Sequence, residues 1–450
     1  MSSQRTVAVI GAGPAGLFAA RELANAGVQV ALINRDIKAG GLAEYGIYPN
    51  KYKMKDGLRK QFRQVLALPN VSYFGNLSIL QAGPLSLADL QAMGFDAVLV
   101  SVGAQGTKWL GLEGEDLQGV YHAKDLVYHY NKLPPYSQQQ FGMGRRIICV
   151  GAGNVMLDIA HWAVRELKVD ELVAAVRRGP ADVKFTKKEM ETVAANLDLA
   201  ALDAEIARCA PNMAAVGQDP QAAKDYILSA LPSAEPRVSD TRMRFDFLAS
   251  PHRIVGDVDG RVLGLEVEDT LLVAREDGSA TAKGQGSYRL IEGDTVVFCI
   301  GDRIDNRFGL PLDKWGDFAK NPEPRFADDG ISYEAYDPES QKAVEGVFLA
   351  GWAREASTGL VGAARKDGTQ AAHAVLAYLA SRAGTGRGAL AALQAKVATL
   401  GTPVVTNADL VKLEEAEAAM AAERGLPEFK FSSNEAMLGV IGLSPVAEAY

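Results

Sequence analysis

Two short stretches constrain this 450-residue chain more than any other feature. They are Val7-Ala8-Val9-Ile10-Gly11-Ala12-Gly13-Pro14-Ala15-Gly16 and, much later, Arg146-Ile147-Ile148-Cys149-Val150-Gly151-Ala152-Gly153-Asn154-Val155. Each is an apolar run feeding a glycine-rich turn, and each continues with helical spacing; Leu17, Ala20, Leu23 and Ala24 share one face in the first. Each therefore reads as strand, tight turn, helix. In this reading Gly11 permits the turn, Gly13 lets the backbone approach a pyrophosphate, and Gly16 lets the helix pack on the strand. The phosphates would sit on free N–H groups at the positive end of the helix. One such motif is weak evidence, but two in one chain point to two dinucleotide sites.

The segments between them fit that plan. Val28 to Asn34 makes a second strand, and Gly40-Gly41-Leu42 with Tyr45-Gly46-Ile47-Tyr48-Pro49 reads as a loop. Lys51, Lys53, Lys55, Arg59, Lys60 and Arg63 follow, half of them on one face of a helix starting near Lys55. They form either a solvated face or a docking patch for an acidic partner. Ala97 to Gly103 is a strand closing on glycine. After the second turn a helix runs to about Leu167, and the strand Glu171 to Val176 ends on Arg177-Arg178-Gly179-Pro180. That strand end is where a Rossmann unit reads the adenosine ribose, with an acid for a 2′-hydroxyl and arginine for a 2′-phosphate. Two arginines favour NADP.

Ala194 to Asp240 reads as helical, and Arg244–Ser250, Arg253–Asp257, Val262–Glu268 and Leu271–Arg275 as short strands. Thr295 to Gly301 repeats the strand-then-glycine ending. Val347 to Trp352 is another strand, and after Ser357-Thr358-Gly359 a helix from about Leu360 to Arg382 offers a further positive end. The tail carries a charged helix, Ala408 to Arg424.

Composition narrows the class. At 48% hydrophobic and 23% charged the chain can build two or three cores, and its net charge of −8 argues against nucleic acid as a general partner. Cys149, Cys209 and Cys299 are isolated, and His122, His129, His161, His252 and His373 lack metal-ligand spacing, so no disulfide framework or metal site is expected. The first strand opens too early for a signal peptide, and no apolar run reaches the roughly 20 residues of a membrane span. A reducing cytoplasm is the expected location.

The motifs together resemble the adrenodoxin reductase family of ferredoxin-NADP reductases, over nearly the whole chain. The resemblance rests on Gly40-Gly41-Leu42, Tyr45-Gly46-Ile47-x-Pro49, Gly151-x-Gly153-Asn154-Val155-x-x-Asp158-x-Ala160, Arg177-Arg178-Gly179-Pro180, Phe185-Thr186-x-x-Glu189, Phe247-x-x-Ser250-Pro251, Gly351-Trp352, Thr358-Gly359 and Lys366-Asp367. It implies an α/β protein with two Rossmann-like domains: an FAD domain, 1–104 and 303–450, into which an NADP domain, 105–302, is inserted. It implies FAD on Gly11, Gly13, Ala15 and Gly16, with Asn34 and Arg35 at the ribose. Gly41, Leu42, Tyr45, Gly46, Gly103, Gly351, Trp352 and Thr358 would surround the cofactor, and the N–H groups of Gly359, Leu360 and Val361 would face the pyrimidine end of the flavin. NADPH would lie on Gly151, Gly153, Asn154 and Val155, with Arg177 and Arg178 on the 2′-phosphate and Glu189 near the nicotinamide. Glu189, Lys51 and Trp352 are then the candidates at the reacting atoms, and a ferredoxin-like protein is the implied electron acceptor. Lys51 to Arg63, Arg242 and Arg244 are its candidate contacts.

The sequence also departs from the family pattern. Asn34 stands where an acid is usual, Asn50-Lys51 replaces Asp-His, Met156 replaces a small residue, and Arg354-Glu355-Ala356-Ser357 replaces the usual Gly-Pro before Thr358. These departures keep two rivals open: a related flavin reductase serving another subunit or a quinone-like molecule, and a flavoprotein-like binding module with little turnover. Monomer and homodimer are equally compatible with the sequence.

Overall fold

A computed structural model of the chain describes residues 4–384 and 388–443. The chain divides into two units, one of Met1–Thr107, Tyr128–Gln138 and Gly301–Tyr450, the other of Lys108–Val127 and Gln139–Ile300. In the first, six strands lie in the order Glu334–Asp337, Lys342–Leu349, Ala97–Val100, Thr6–Ile10, Gln29–Ile33, Val71–Phe74. All pairings are parallel except that of Glu334–Asp337, which runs antiparallel at the edge. The strand Thr6–Ile10 is buried along its whole length because both faces of the sheet are covered. Val7 and Val9 pack with Leu17, Phe18, Ala371 and Val375 on one side; Ala8 and Ile10 pack with Leu90, Phe95 and Leu393 on the other.

The second unit repeats the idea with five parallel strands, in the order Val120–His122, Thr295–Phe298, Arg146–Val150, Glu171–Val176, Arg242–Phe247. An antiparallel sheet of Ala249–Gly256, Val262–Ala274 and Ala280–Glu292 packs against it, with Leu265, Val267 and Ile291 meeting Ile148, Val150 and Val173. In both sheets the glycine-rich turns leave from the carboxyl ends of the strands, where parallel α/β sheets bind ligands.

Several local expectations change. Residues read as a loop contain a single helical turn, Leu42–Tyr45, entered through Gly40 and Gly41 at φ +120 and +51. Two expected short strands are one, Val262–Ala274, with a register shift between Glu268 and Thr270. Its partner Ala280–Glu292 has no counterpart in the sequence reading. It is a largely exposed edge strand containing Gly284 and Gly286, so it lacks the apolar run that announces a buried strand. The strand Val71–Phe74 and the helix Ala123–Tyr130 are likewise additions.

Candidate dinucleotide sites

In the first unit three chain segments meet at the Gly11 turn. Gly11 sits at φ +101, and a Cβ there would lie 2.4 Å from the Ser101 carbonyl oxygen; on Gly16 it would lie 1.9 Å from the Gly11 carbonyl oxygen. Both positions therefore exclude any side chain. A Cβ on Gly13 would meet nothing within 4 Å, so the turn is open on the side where a pyrophosphate approaches. Gly41 packs on the turn, its Cβ position 3.0 Å from Gly13 Cα, and the Gly40 N–H donates to the Ala12 carbonyl at 2.7 Å. Gly351, at φ +63, brings the third segment within 2.7 Å of Ala15 Cβ, measured from a Cβ it does not have.

The helix Pro14–Asn25 begins without a side-chain cap, as do Asn154–Trp162 in the second unit and Val361–Ala380. By contrast, Ser86, Asp198, Asp219, Thr406 and Ser433 cap their helices with side-chain oxygens. The uncapped ends keep N–H donors available to an external acceptor. The N-cap of Val361–Ala380 is Leu360, whose surface is 71% exposed. An exposed apolar side chain at an open helix end suits a flat, largely apolar ring with an anionic edge. Trp352 is fastened to the same loop, its Nε1 donating to the Thr358 carbonyl at 2.9 Å.

Asn34 does not face outward to a ribose. Its Oδ1 accepts from the Ala12 N–H at 3.0 Å, while Nδ2 donates to the carbonyls of Asp36 and Lys38 at 2.9 and 3.0 Å and meets the Tyr73 hydroxyl at 3.2 Å. The buried amide is an internal strut that holds the glycine-rich turn, and the expectation of a ribose contact there is corrected. A carboxylate could not donate to those carbonyls, so asparagine is the residue this local packing requires. Arg35 is exposed and pairs with Asp36 at 2.9 Å and the Gln105 side chain at 3.1 Å. Tyr45 is buried beside Leu42, Tyr128 and Leu133. Lys51 ends the short turn Pro49–Lys51, and Gly46 and Gly103 shape the backbone near Leu42 and after the strand Ala97–Val100.

The basic stretch is largely internal to the first unit. Lys55 is buried and pairs with Glu428 at 2.7 Å, Arg59 pairs with Glu44 at 2.6 Å, and Arg63 reaches Glu414 at 3.2 Å. Lys38 and Lys430 complete the group around Glu44, at 3.5 and 2.9 Å. Half of the supposed docking patch thus anchors the C-terminal segment. Only Lys53 and Lys60 stand exposed on that helix without an ion-pair partner among the described residues. In the second unit Arg242 and Arg244 are both bound to Glu171, at 2.6 and 3.1 Å, which removes them as free docking cations.

Sequence reasoning missed this buried charge group because Glu414, Glu428 and Lys430, which close over Glu44, Lys55, Arg59 and Arg63, come from a segment hundreds of positions away. Burial by itself would raise the Glu44 carboxyl, yet Lys38, Lys430 and Arg59 hold it well below the usual range. Burial outweighs Glu44 in Lys430 and brings its ammonium down from 10.5 to about 8, with Lys55 and Lys38 adding repulsion. Between those two values the unfolded chain holds the extra proton, so stability rises with pH across that window. Lys430→Met is expected to flatten this rise, as read by thermal melts from pH 8 to 10.5.

In the second unit Gly151 sits at φ +124, its Cβ position 2.6 Å from the Cys299 carbonyl oxygen, and Gly153 again faces open space. The loop bearing Thr186 and Glu189 is tied to this turn: Asn154 Oδ1 accepts from the Thr186 N–H, and the Lys184 N–H donates to the Ala152 carbonyl, both at 2.8 Å. Thr186 in turn caps the helical turn that carries Glu189. Val155 is exposed and Met156 wholly buried, so the larger side chain is absorbed by the core. Arg177 and Arg178 leave the neighbouring strand. Arg178 leans toward Asp182 at 3.9 Å, whereas the exposed Arg177 guanidinium has no ion pair among the described residues.

Residues 5–203 match the pyridine nucleotide-disulphide oxidoreductase family. The NADPH-ferredoxin reductase FprA of Mycobacterium leprae is 27% identical over 96% of this chain and 98% of its own. The mitochondrial NADPH:adrenodoxin oxidoreductase of Arabidopsis thaliana is 24% identical over 79% of this chain and 78% of its own. A solved structure of FprA from Mycobacterium tuberculosis superposes with a TM-score of 0.78 at 25% identity, covering 98% of this chain and 99% of that one. The resemblance to the adrenodoxin reductase type of ferredoxin-NADP reductase thus extends over nearly the whole chain and includes the fold.

Proposed function

We propose that the chain is an FAD-dependent ferredoxin-NADP reductase. FAD held in the first unit would supply the hydride acceptor for NADPH and the store from which single electrons go to a ferredoxin-like iron–sulfur protein. The observation that carries this reading is the pair of open glycine-rich turns, one in each unit, each leading into a helix without a side-chain cap. The relatives' names and the fold support it.

In this reading the first unit holds FAD. Gly13, Ala15 and Gly16 offer backbone donors and room to the pyrophosphate. Gly41, Leu42, Tyr45, Gly351 and Trp352 surround the ring system, and Gly359 to Val361 present N–H groups to its anionic edge. The second unit holds NADPH on Gly151 to Val155, with Arg177 as the main contact to the 2′-phosphate and Glu189 beside the nicotinamide. Lys51 takes the place of the usual histidine as the cation near the flavin. The protein's own part is alignment, exclusion of water and charge balance. A cytoplasmic setting agrees with three free, buried cysteines. No helix among the described residues is long and apolar enough to cross a membrane.

The purified chain is expected to be yellow, to lose its colour on anaerobic addition of NADPH, and to reduce an acidic ferredoxin. Reduction of quinones with no turnover on any ferredoxin or flavodoxin would overturn the acceptor, and a colourless protein would overturn the flavin. Docking is expected on Lys53 and Lys60: the double charge reversal Lys53→Glu with Lys60→Glu should raise the KM for ferredoxin roughly fivefold at low salt, and the effect should fade as salt screens it. Steady-state kinetics across ionic strengths checks this.

A further inference from the structure

Asp367 lies at the closest approach of the elements that build the first site. Its neighbour Gly368 has no room for a Cβ, which would fall 2.1 Å from the Ala15 carbonyl oxygen, and Gly351 abuts Ala15 in the same way. Here the helices Pro14–Asn25 and Val361–Ala380, both with open amino ends, meet the turn Gly351–Ala353. Asp367 Oδ2 accepts from the Gly351 N–H at 2.5 Å, and Oδ1 accepts from Arg354 Nε and Nη2 at 2.9 and 2.5 Å. The Arg354 guanidinium also lies 5.0 Å over the Tyr333 ring, and its carbonyl accepts from Lys320 Nζ at 3.1 Å. The Arg354 and Asp367 side chains are only 10% and 14% exposed.

A buried ion pair of this kind adds little net stability, because desolvating both charges offsets their attraction. What it contributes is geometry: one carboxylate joins the turn that carries Trp352 to the helix whose first N–H groups face the site. We propose that Asp367 and Arg354 are positioning residues, locking the Gly351-Trp352 turn to the helix Val361–Ala380 and thereby setting the affinity and the reduction potential of the flavin. This rests on the FAD reading above. Arg354 falls within the four residues where the sequence departs from the family pattern, so the pairing gives that departure a purpose.

The test uses the full-length chain, stripped of FAD and titrated with it, and potentials measured by dye equilibration. Asp367→Asn keeps an acceptor for the Gly351 N–H but removes one negative charge, leaving Arg354 paired with Glu355 alone at 2.8 Å, and the more positive surroundings favour the reduced, anionic flavin; the potential moves up. Arg354→Met leaves the carboxylate uncompensated, and the potential moves down. The Kd for FAD rises about tenfold in Arg354→Met, and Arg354→Lys recovers most of that loss. Shifts of one sign in both variants, or a lower melting temperature with Kd and potential unchanged in the folded protein, overturn the positioning role. A wild-type chain that takes up no FAD overturns this proposal together with the reading it rests on, whereas a wild type that binds FAD while the variants do not differ from it overturns this proposal alone.

Discussion

Replacing Arg177 with alanine is expected to raise the KM for NADPH by roughly 30- to 100-fold, the equivalent of about 2 to 3 kcal/mol for a lost charge-assisted contact, with little change for NADH. The reasoning is local. Arg177 follows directly on the strand Glu171–Val176, one place from the strand that feeds the Gly151 turn, at the edge where an adenosine ribose is read. Its backbone is held, because its carbonyl accepts from Thr270 Oγ1 at 2.8 Å. Its guanidinium is exposed and has no carboxylate partner among the described residues. Arg178 has Asp182 within 3.9 Å and is the weaker candidate, so Arg178→Ala should cost less. Steady-state kinetics with both nucleotides decides: equal effects on NADPH and NADH would remove the 2′-phosphate assignment.

Glu44→Gln is expected to destabilise the first unit by about 3 to 5 kcal/mol, since it removes the shared partner of three cations and leaves them close together with little water. Lys38, Arg59 and Lys430 all lie within 3.5 Å of its carboxylate. The substitution conserves shape, so no cavity contributes. Adding Lys430→Met should restore part of the loss, and urea unfolding of the two single variants and the double variant measures that coupling. The pH dependence has a definite sign. A carboxyl held below its ordinary value stabilises the fold above that value, and the benefit disappears as pH falls through the folded-state value. Wild type should therefore lose stability in acid more steeply than Glu44→Gln. Equal slopes would show that Glu44 is not the group responsible. Because Glu44 belongs to the helical turn Leu42–Tyr45, its loss is also expected to loosen bound FAD.

The two strand–turn–helix units were legible because their signals are short-range. A short continuous apolar run, glycines at fixed spacing in the turn, and a helical stripe after it are each patterns within about fifteen adjacent residues, even though the atoms that exclude a Cβ at Gly11 and Gly151 belong to Ser101 and Cys299. The same holds for the pairing of Arg177 with the end of the strand Glu171–Val176. Lys55 and Arg59 were not legible. Their spacing on a helix face is the same whether that face meets water or Glu428, and Glu428 is more than three hundred positions away. Asn34 is similar: the sequence shows that an acid is missing, but only the fold shows Lys38 and Tyr73 closing on its amide. The strand Ala280–Glu292 exists because Val262–Ala274 offers it a ladder, not because its own residues prefer to be extended.

The sequence by itself determined that this chain builds two glycine-turned nucleotide-binding units, that the strand Glu171–Val176 of the second runs into two arginines, and that a third helix offers its amino end after Thr358-Gly359. Those are consequences of local sterics and periodicity, which adjacent residues settle. Only the tertiary structure decided which charges face inward. It gathered Lys38, Glu44, Lys55, Arg59, Glu428 and Lys430 into one buried group, and it set Asp367 against Gly351 and Arg354. Such choices rest on desolvation and on segments brought together by the fold: even near neighbours such as Lys38 and Glu44 or Arg354 and Asp367 carry no local signal that they pair, and Glu428 and Lys430 come from the far end of the chain.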